Sequence, residues 1–227
     1  MVKKSLLVAG TDTNVGKTVL TSALISYWQT YYLSRSLGVF KPMQTGIGDR
    51  EFYHQYFALN QSIDEINPLH FEAPLAPPIA AELEGKTVDL KLVWSQFCQL
   101  QQSRDFVLVE GLGGLGSPIT HELTVADLAR DWHLPTILVV PVRLGAIAQA
   151  VANAALARQM GVLLQGLVLN CVEPCSPEEI KNWTPIDLIE SLTQIPILGI
   201  LPYINTLTDR EKLAQIASNL DLETIFS

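Results

Sequence analysis

Gly10-Thr11-Asp12-Thr13-Asn14-Val15-Gly16-Lys17-Thr18 follows the apolar run Leu6-Leu7-Val8-Ala9, and beyond it Val19, Leu20, Ala23, Leu24, Tyr27 and Trp28 recur at helical spacing. Strand, glycine-bounded loop, helix is the order that builds a nest of backbone N–H groups for phosphates at the positive end of a helix. Gly16 lets backbone approach a phosphate closely, Lys17 can set an ammonium between the outer two phosphates, and the Thr18 hydroxyl can ligate the accompanying Mg2+. The stretch reads as a nucleoside-triphosphate site, against the blander alternative of a plain strand-turn-helix. Five residues separate the two glycines, one more than in the common form of the motif, so the match is a variant.

Working outward, the short strand Leu37-Gly38-Val39-Phe40 delivers a second lysine loop, Lys41-Pro42-Met43-Gln44-Thr45-Gly46-Ile47-Gly48. Ligands of open parallel sheets bind outside the carboxyl ends of strands, so the two lysine loops are expected to face one crevice. Residues 49–59 read as a short helix, while 60–78, with Pro68, Pro74, Pro77 and Pro78, is too proline-rich for continuous helix or central strand. Leu69, Phe71, Leu75 and Ile79 give that excursion something to bury, which favours an ordered lid or substrate wall over a linker. Residues 88–103 look helical, and Phe106-Val107-Leu108-Val109 has the continuous hydrophobicity of a strand covered on both faces, ending at Glu110-Gly111-Leu112-Gly113-Gly114. The alternation continues with helix 124–132, strand 136–142, helix 146–160, strand 164–170, helix 178–192, strand 197–201 and helix 209–219. Short strands separated by such helices require right-handed parallel crossovers. The pattern predicts one domain over residues 1–227, a three-layer α/β/α unit of the phosphate-loop NTPase kind on a mainly parallel sheet of about six or seven strands.

Apolar residues make up 48% of the 227, yet no uninterrupted run approaches the roughly 18 that a membrane helix needs. Met1-Val2-Lys3-Lys4-Ser5 runs straight into a short strand with no cleavable apolar region behind it, so a cytoplasmic protein is expected. The net charge of −8 and the absence of a basic stripe argue against nucleic acid. An odd cysteine count, Cys98, Cys171 and Cys175, fits a reducing compartment. Cys171 and Cys175 lack a second pair or a nearby histidine and read as ordinary buried thiols.

A phosphate loop needs a divalent cation, and Thr18 alone cannot hold one. Glu110, at the end of the most hydrophobic strand, is the best carboxylate for it, with a turn cap as the alternative. Asp49 reads equally well as a Mg2+ ligand and as a helix N-cap. Lys41 suits an anion in the crevice, unless it is a solvated surface lysine. Asp12, Asp127, His54, His70, His121 and His133 read as capping or surface hydrogen-bonding residues. No nucleophile–base pairing has positional support, which leaves phosphoryl transfer without a covalent enzyme intermediate.

Taken together, GTDTNVGKT at 10–18, KPMQTG at 41–46, NPLHFEAPLAPPIAA at 67–81, VEGLGG at 109–114, PVRLGAI at 141–147 and LVLN at 167–170 resemble the dethiobiotin synthetases, in the right order over nearly the whole chain. The resemblance implies an ATP- and Mg2+-dependent ligase: 7,8-diaminononanoate takes up CO2 as a carbamate, ATP phosphorylates the carbamate oxygen, and the second amine closes a cyclic urea. It implies that Lys41 and Lys17 are catalytic, that Thr13, Thr45 and Gly145 meet the diamine, and that Thr18, Asp49 and Glu110 ligate Mg2+. Asn14, Val15, Gly16, Lys17, Thr18 and Val19 would wrap the phosphates, Gly111, Leu112 and Gly113 would line the same cleft, and Asn170 with Pro202, Tyr203 and Ile204 would hold adenine. A homodimer is likewise implied. Where many relatives carry an asparagine that reaches the diamine carboxylate across the dimer, this chain has Ala148, leaving backbone N–H groups around Gly145 to Ile147 for that task. Two rivals share the plan. A partitioning-type nucleotide switch usually has a further lysine where Thr11 stands here, and an amidating relative would need an attached glutaminase domain.

Overall fold

The computed structural model describes residues 5–226, so the stretch Met1 to Lys4, read above for a leader, lies outside the described residues. The chain starts with β1 (Ser5–Gly10), α1 (Lys17–Tyr31), β2 (Leu37–Phe40), β3 (Gln44–Thr45), α2 (Asp49–Tyr56), α3 (Ile63–Ile66), β4 (His70–Phe71), α4 (Pro77–Leu83) and α5 (Leu90–Ser103). It continues through β5 (Phe106–Gly114), α6 (Val125–Asp131), β6 (Thr136–Pro141), α7 (Ala146–Met160), β7 (Leu164–Asn170), α8 (Pro177–Trp183), α9 (Ile186–Thr193), β8 (Ile197–Leu201), α10 (Arg210–Ala217) and α11 (Leu222–Phe226).

The main sheet has six strands in the order β2-β5-β1-β6-β7-β8, and every neighbouring pair is parallel. Alternation along the strands divides the core. Leu6 and Val8 join Leu20, Leu24 and Trp28 of α1 on one face, whereas Leu7 and Ala9 join Phe97 of α5, Val125 of α6 and Ala150 of α7 on the other. Both faces are thus covered by helices, as a buried parallel sheet requires.

The excursion 60–78 is ordered. It carries α3 and the strand β4, which pairs in parallel with β3 as a small second sheet, and Pro77 opens α4 at a position where a missing N–H costs nothing. Phe71, Ala80 and Ala81 form their own buried cluster there. The expected helix over 178–192 is instead two helices. Pro185 has no N–H to donate and its ring crowds the preceding turn, so α8 ends at Trp183 and α9 begins at Ile186. The strand expected to end at Val109 runs on to Gly114: past Val8↔Glu110 the register with β1 shifts at an irregularity and resumes at Gly10↔Gly114.

Candidate active site

Register brings the two lysine loops and the acidic strand end together. β5 lies between β2 and β1, and the pairs Phe40↔Val109 and Val8↔Glu110 set Lys41 and the phosphate loop on either side of Glu110. The Lys41 ammonium donates to Glu110 Oε1 at 2.9 Å and stands 2.5 Å from Asp49 Oδ2. The Thr18 hydroxyl donates to Asp49 Oδ1 at 3.1 Å and reaches Glu110 Oε1 at 3.5 Å. The Tyr53 hydroxyl donates a short hydrogen bond to Glu110 Oε2, and that carboxylate is 0% exposed.

Burial alone would push the Lys41 pKa down, but the flanking carboxylates of Glu110 and Asp49 hold it above the ordinary lysine range. The same contacts act on Asp49. Burial would raise its carboxyl, whereas Lys41 and the Thr18 hydroxyl bring it below the usual value. Burial lowers the pKa of Lys17, whose ammonium donates to the Asp12 carbonyl at 3.0 Å; Glu110 opposes that effect, and Lys41 adds to it.

A cleft of about 440 Å³ opens above this cluster, bordered by Thr13, Asn14, Gly16, Lys17, Thr18, Val19, Lys41, Thr45, Asp49, Leu112 and Gly113. Gly16 sits at φ 100° as the N-cap of α1, a left-handed conformation that suits glycine and aims the first N–H groups of the helix into the cleft. A Cβ on Gly10 would come 2.6 Å from Val15 Cγ2 and 2.9 Å from the Asp12 carbonyl, so the loop's tight return needs glycine at both ends. The Val15 side chain is buried in the core, leaving only its backbone near the cleft.

Asp49 is the first residue of α2, after the N-cap Gly48, and its carboxylate faces the cluster. The N-cap of α2 is Gly48, so Asp49 does not cap that helix. Gly111 lies inside β5 and is not on the cleft wall. Asn170, 1% exposed, donates from Nδ2 to the Val15 carbonyl at 3.0 Å and leaves Oδ1 without a partner. The register Asn170↔Leu201 puts it beside the strand end that leads to Pro202, Tyr203 and Ile204. Gly145, at φ 88°, caps α7 outside this cleft, with Ala148 exposed in the first turn of that helix.

Met43, Gln44 and Ile47 also line the cleft, and the sequence singled out none of them. Tyr53 escaped notice as well, although it follows Asp49 by four residues on a helix and therefore shares its face. Asp127 closes a capping box with Thr124, and His70 contacts the Gly46 carbonyl at 2.9 Å, in keeping with their expected supporting roles. Cys98, Cys171 and Cys175 are free thiols, only Cys171 being fully buried, and no group of three or more His, Cys, Asp or Glu residues fit to hold a metal occurs among the described residues. No helix among them is long and apolar enough to cross a membrane.

A family model described as an AAA domain matches residues 4–211. An ATP-dependent dethiobiotin synthetase from Gloeothece citriformis is 62% identical over 97% of this chain and 98% of its own length. The chain belongs to the dethiobiotin synthetase family. Another dethiobiotin synthetase, from Crocosphaera subtropica, is 58% identical over 98% of this chain and 99% of its own, and one from Bacillus subtilis is 32% identical over 99% and 98%. The family's ligases form carbon–nitrogen bonds. Solved structures share the architecture at much lower identity: the MinC:MinD cell division complex of Aquifex aeolicus has a TM-score of 0.59 at 14% identity, covering 99% of this chain and 97% of that one. A ParA family ATPase from Chlorobium tepidum has a TM-score of 0.57 at 15%, covering 99% and 96%. Such likenesses speak for the phosphate-loop α/β/α fold that this dethiobiotin synthetase relative also has.

Proposed function

We propose that this chain is an ATP-dependent dethiobiotin synthetase, joining 7,8-diaminononanoate and CO2 into the cyclic urea of dethiobiotin with release of ADP and phosphate. The observation that carries the reading is the convergence of Lys17, Lys41, Thr18 and Asp49 on one cleft, with the buried Glu110 joined to Lys41 and Thr18 beneath it. A carbamate oxygen attacking a γ-phosphoryl group brings two anions together, and two ammonium groups in a partly dehydrated crevice oppose their repulsion.

The donor set fits Mg2+. One hydroxyl and two carboxylates are hard oxygen ligands, few enough to leave room for phosphate oxygens and water. A cation is already drawn to the same spot, since the Lys41 ammonium bridges Asp49 and Glu110. When bound, Mg2+ would neutralise charge on the transferring phosphoryl group. The protein's own contributions follow from placement. Backbone N–H groups of the loop through Gly16 hold the phosphates, Lys17 and Lys41 draw the two anions to near-attack distance, and Thr13 and Thr45 orient the diamine from the cleft's rim. After transfer, the second amine attacks the carbamic-phosphoric anhydride, phosphate leaves with the C–O electron pair, and the amine gives up its proton. Asn170 offers one unpaired amide oxygen to the adenine amino group.

The test is ADP release with Mg·ATP and bicarbonate, with and without the diamine, alongside mass detection of dethiobiotin. Turnover is expected to need the diamine and to fall about 10²–10³-fold in Lys41→Ala, the usual scale for losing one preorganised electrostatic contact. ADP release that ignores the diamine would overturn the reading. The three free thiols support a reducing, cytoplasmic setting. A homodimer through the face near Leu144, which is 78% exposed, completes the proposal, and sedimentation equilibrium checks it.

A further inference from the structure

Tyr53 has no place in the reaction described above, yet it is fully buried and its hydroxyl is spent on the carboxylate at the centre of the site. The two oxygens of Glu110 are divided between different partners. Oε1 faces the Lys41 ammonium and the Thr18 hydroxyl, whereas Oε2 is taken by Tyr53. Asp49 and Tyr53 stand four residues apart on α2, so one short helix supplies both the second carboxylate and the hydroxyl that restrains the first. Phe52, Phe57 and the core around α1 and β2 pack on the Tyr53 ring and fix its orientation.

Building on the proposed Mg2+ site, we infer that Tyr53 is a positioning residue that selects the cation: by occupying Oε2 it leaves Glu110 a single oxygen to offer. Mg2+ takes six oxygens in a tight octahedron and is content with single carboxylate oxygens. Ca2+ takes six to eight and gains from carboxylates that bind through both. A glutamate held by one oxygen therefore favours the smaller ion, and release of Oε2 favours the larger. Partners that orient a ligand in this way commonly change metal affinity by about 10–100-fold when removed.

The experiment displaces Mn2+, followed by its paramagnetic resonance signal, from the complex of the full chain with β,γ-imido-ATP, using Mg2+ in one titration and Ca2+ in the other. Tyr53→Phe removes a single oxygen, and Tyr53→Leu removes the same donor with a different shape, in case the first variant folds poorly; near-ultraviolet circular dichroism checks both. The expected result is a fall of about tenfold in the preference for Mg2+ over Ca2+ in either variant. A ratio that stays at the wild-type value overturns the inference even if both ions bind more weakly, because loss of packing alone would penalise them alike. Failure of the unaltered protein to bind Mn2+ at all would instead sink the metal reading beneath it.

Discussion

Gly16 and Asn170 lie far apart in sequence but touch in the fold. A Cβ on Gly16 would come 2.0 Å from Asn170 Nδ2, and the left-handed φ of 100° adds strain of about 1–2 kcal/mol for an L side chain. Gly16→Ala is therefore expected to weaken nucleotide binding more than tenfold in calorimetric titration while the protein stays folded, through Asn170 as much as through the phosphate loop. Glu51 gives a prediction in pH. Burial works against its charge, but hydrogen bonds from Arg50, the Gly48 N–H and Gln44 bring its pKa from 4.5 down to about 2. Its contribution to stability is full above the unfolded value near 4.5 and is lost as pH falls toward about 2. Across that window the urea midpoint of the wild type should fall more steeply than that of Glu51→Gln. The phosphate loop and the two lysines were legible because each sits beside a strand that announces itself. The Lys41–Glu110 contact was not: it depends on β5 inserting between β1 and β2, and no local periodicity encodes strand order.

At the scale of elements, apolar runs located every strand of the main sheet, and β7 and β8 have the expected limits. The errors fall where one residue overrides a pattern. Pro185 divides a helix whose apolar spacing continues through it, and β5 runs past Glu110 to Gly114, which pairs with Gly10 across a register shift. Tyr53 was hidden for a related reason, since Phe52, Tyr53, Tyr56 and Phe57 look like plain core on a short helix. Strand packing yields its own prediction. A Cβ on Gly166 of β7 would lie 2.3–2.7 Å from side-chain atoms of the buried Leu198 in β8, so Gly166→Ala should cost about 1–3 kcal/mol by urea denaturation. Catalytic constants should barely move, because Gly166 lies in β7 well before the Asn170 end.

For the whole molecule, the decisive feature is one sheet shared by two hydrophobic layers. Neither layer can lose the sheet without exposing the other, so unfolding is expected as one transition, with tryptophan fluorescence and far-ultraviolet circular dichroism coincident in urea. A Trp28 signal that moves ahead of helix loss would show that the α1 face separates first. The six carboxyl strand ends also lie along one edge, which brings segments from Gly10 to Leu201 to the same side of the sheet. That edge carries a cation of its own. The Lys41 ammonium is wedged between Asp49 and Glu110 like a plug in the place where the proposed cation would sit. On the proposed function, readiness would come by ion exchange: a divalent ion arriving with the nucleotide would take the two carboxylates and leave the lysine free for the incoming anion.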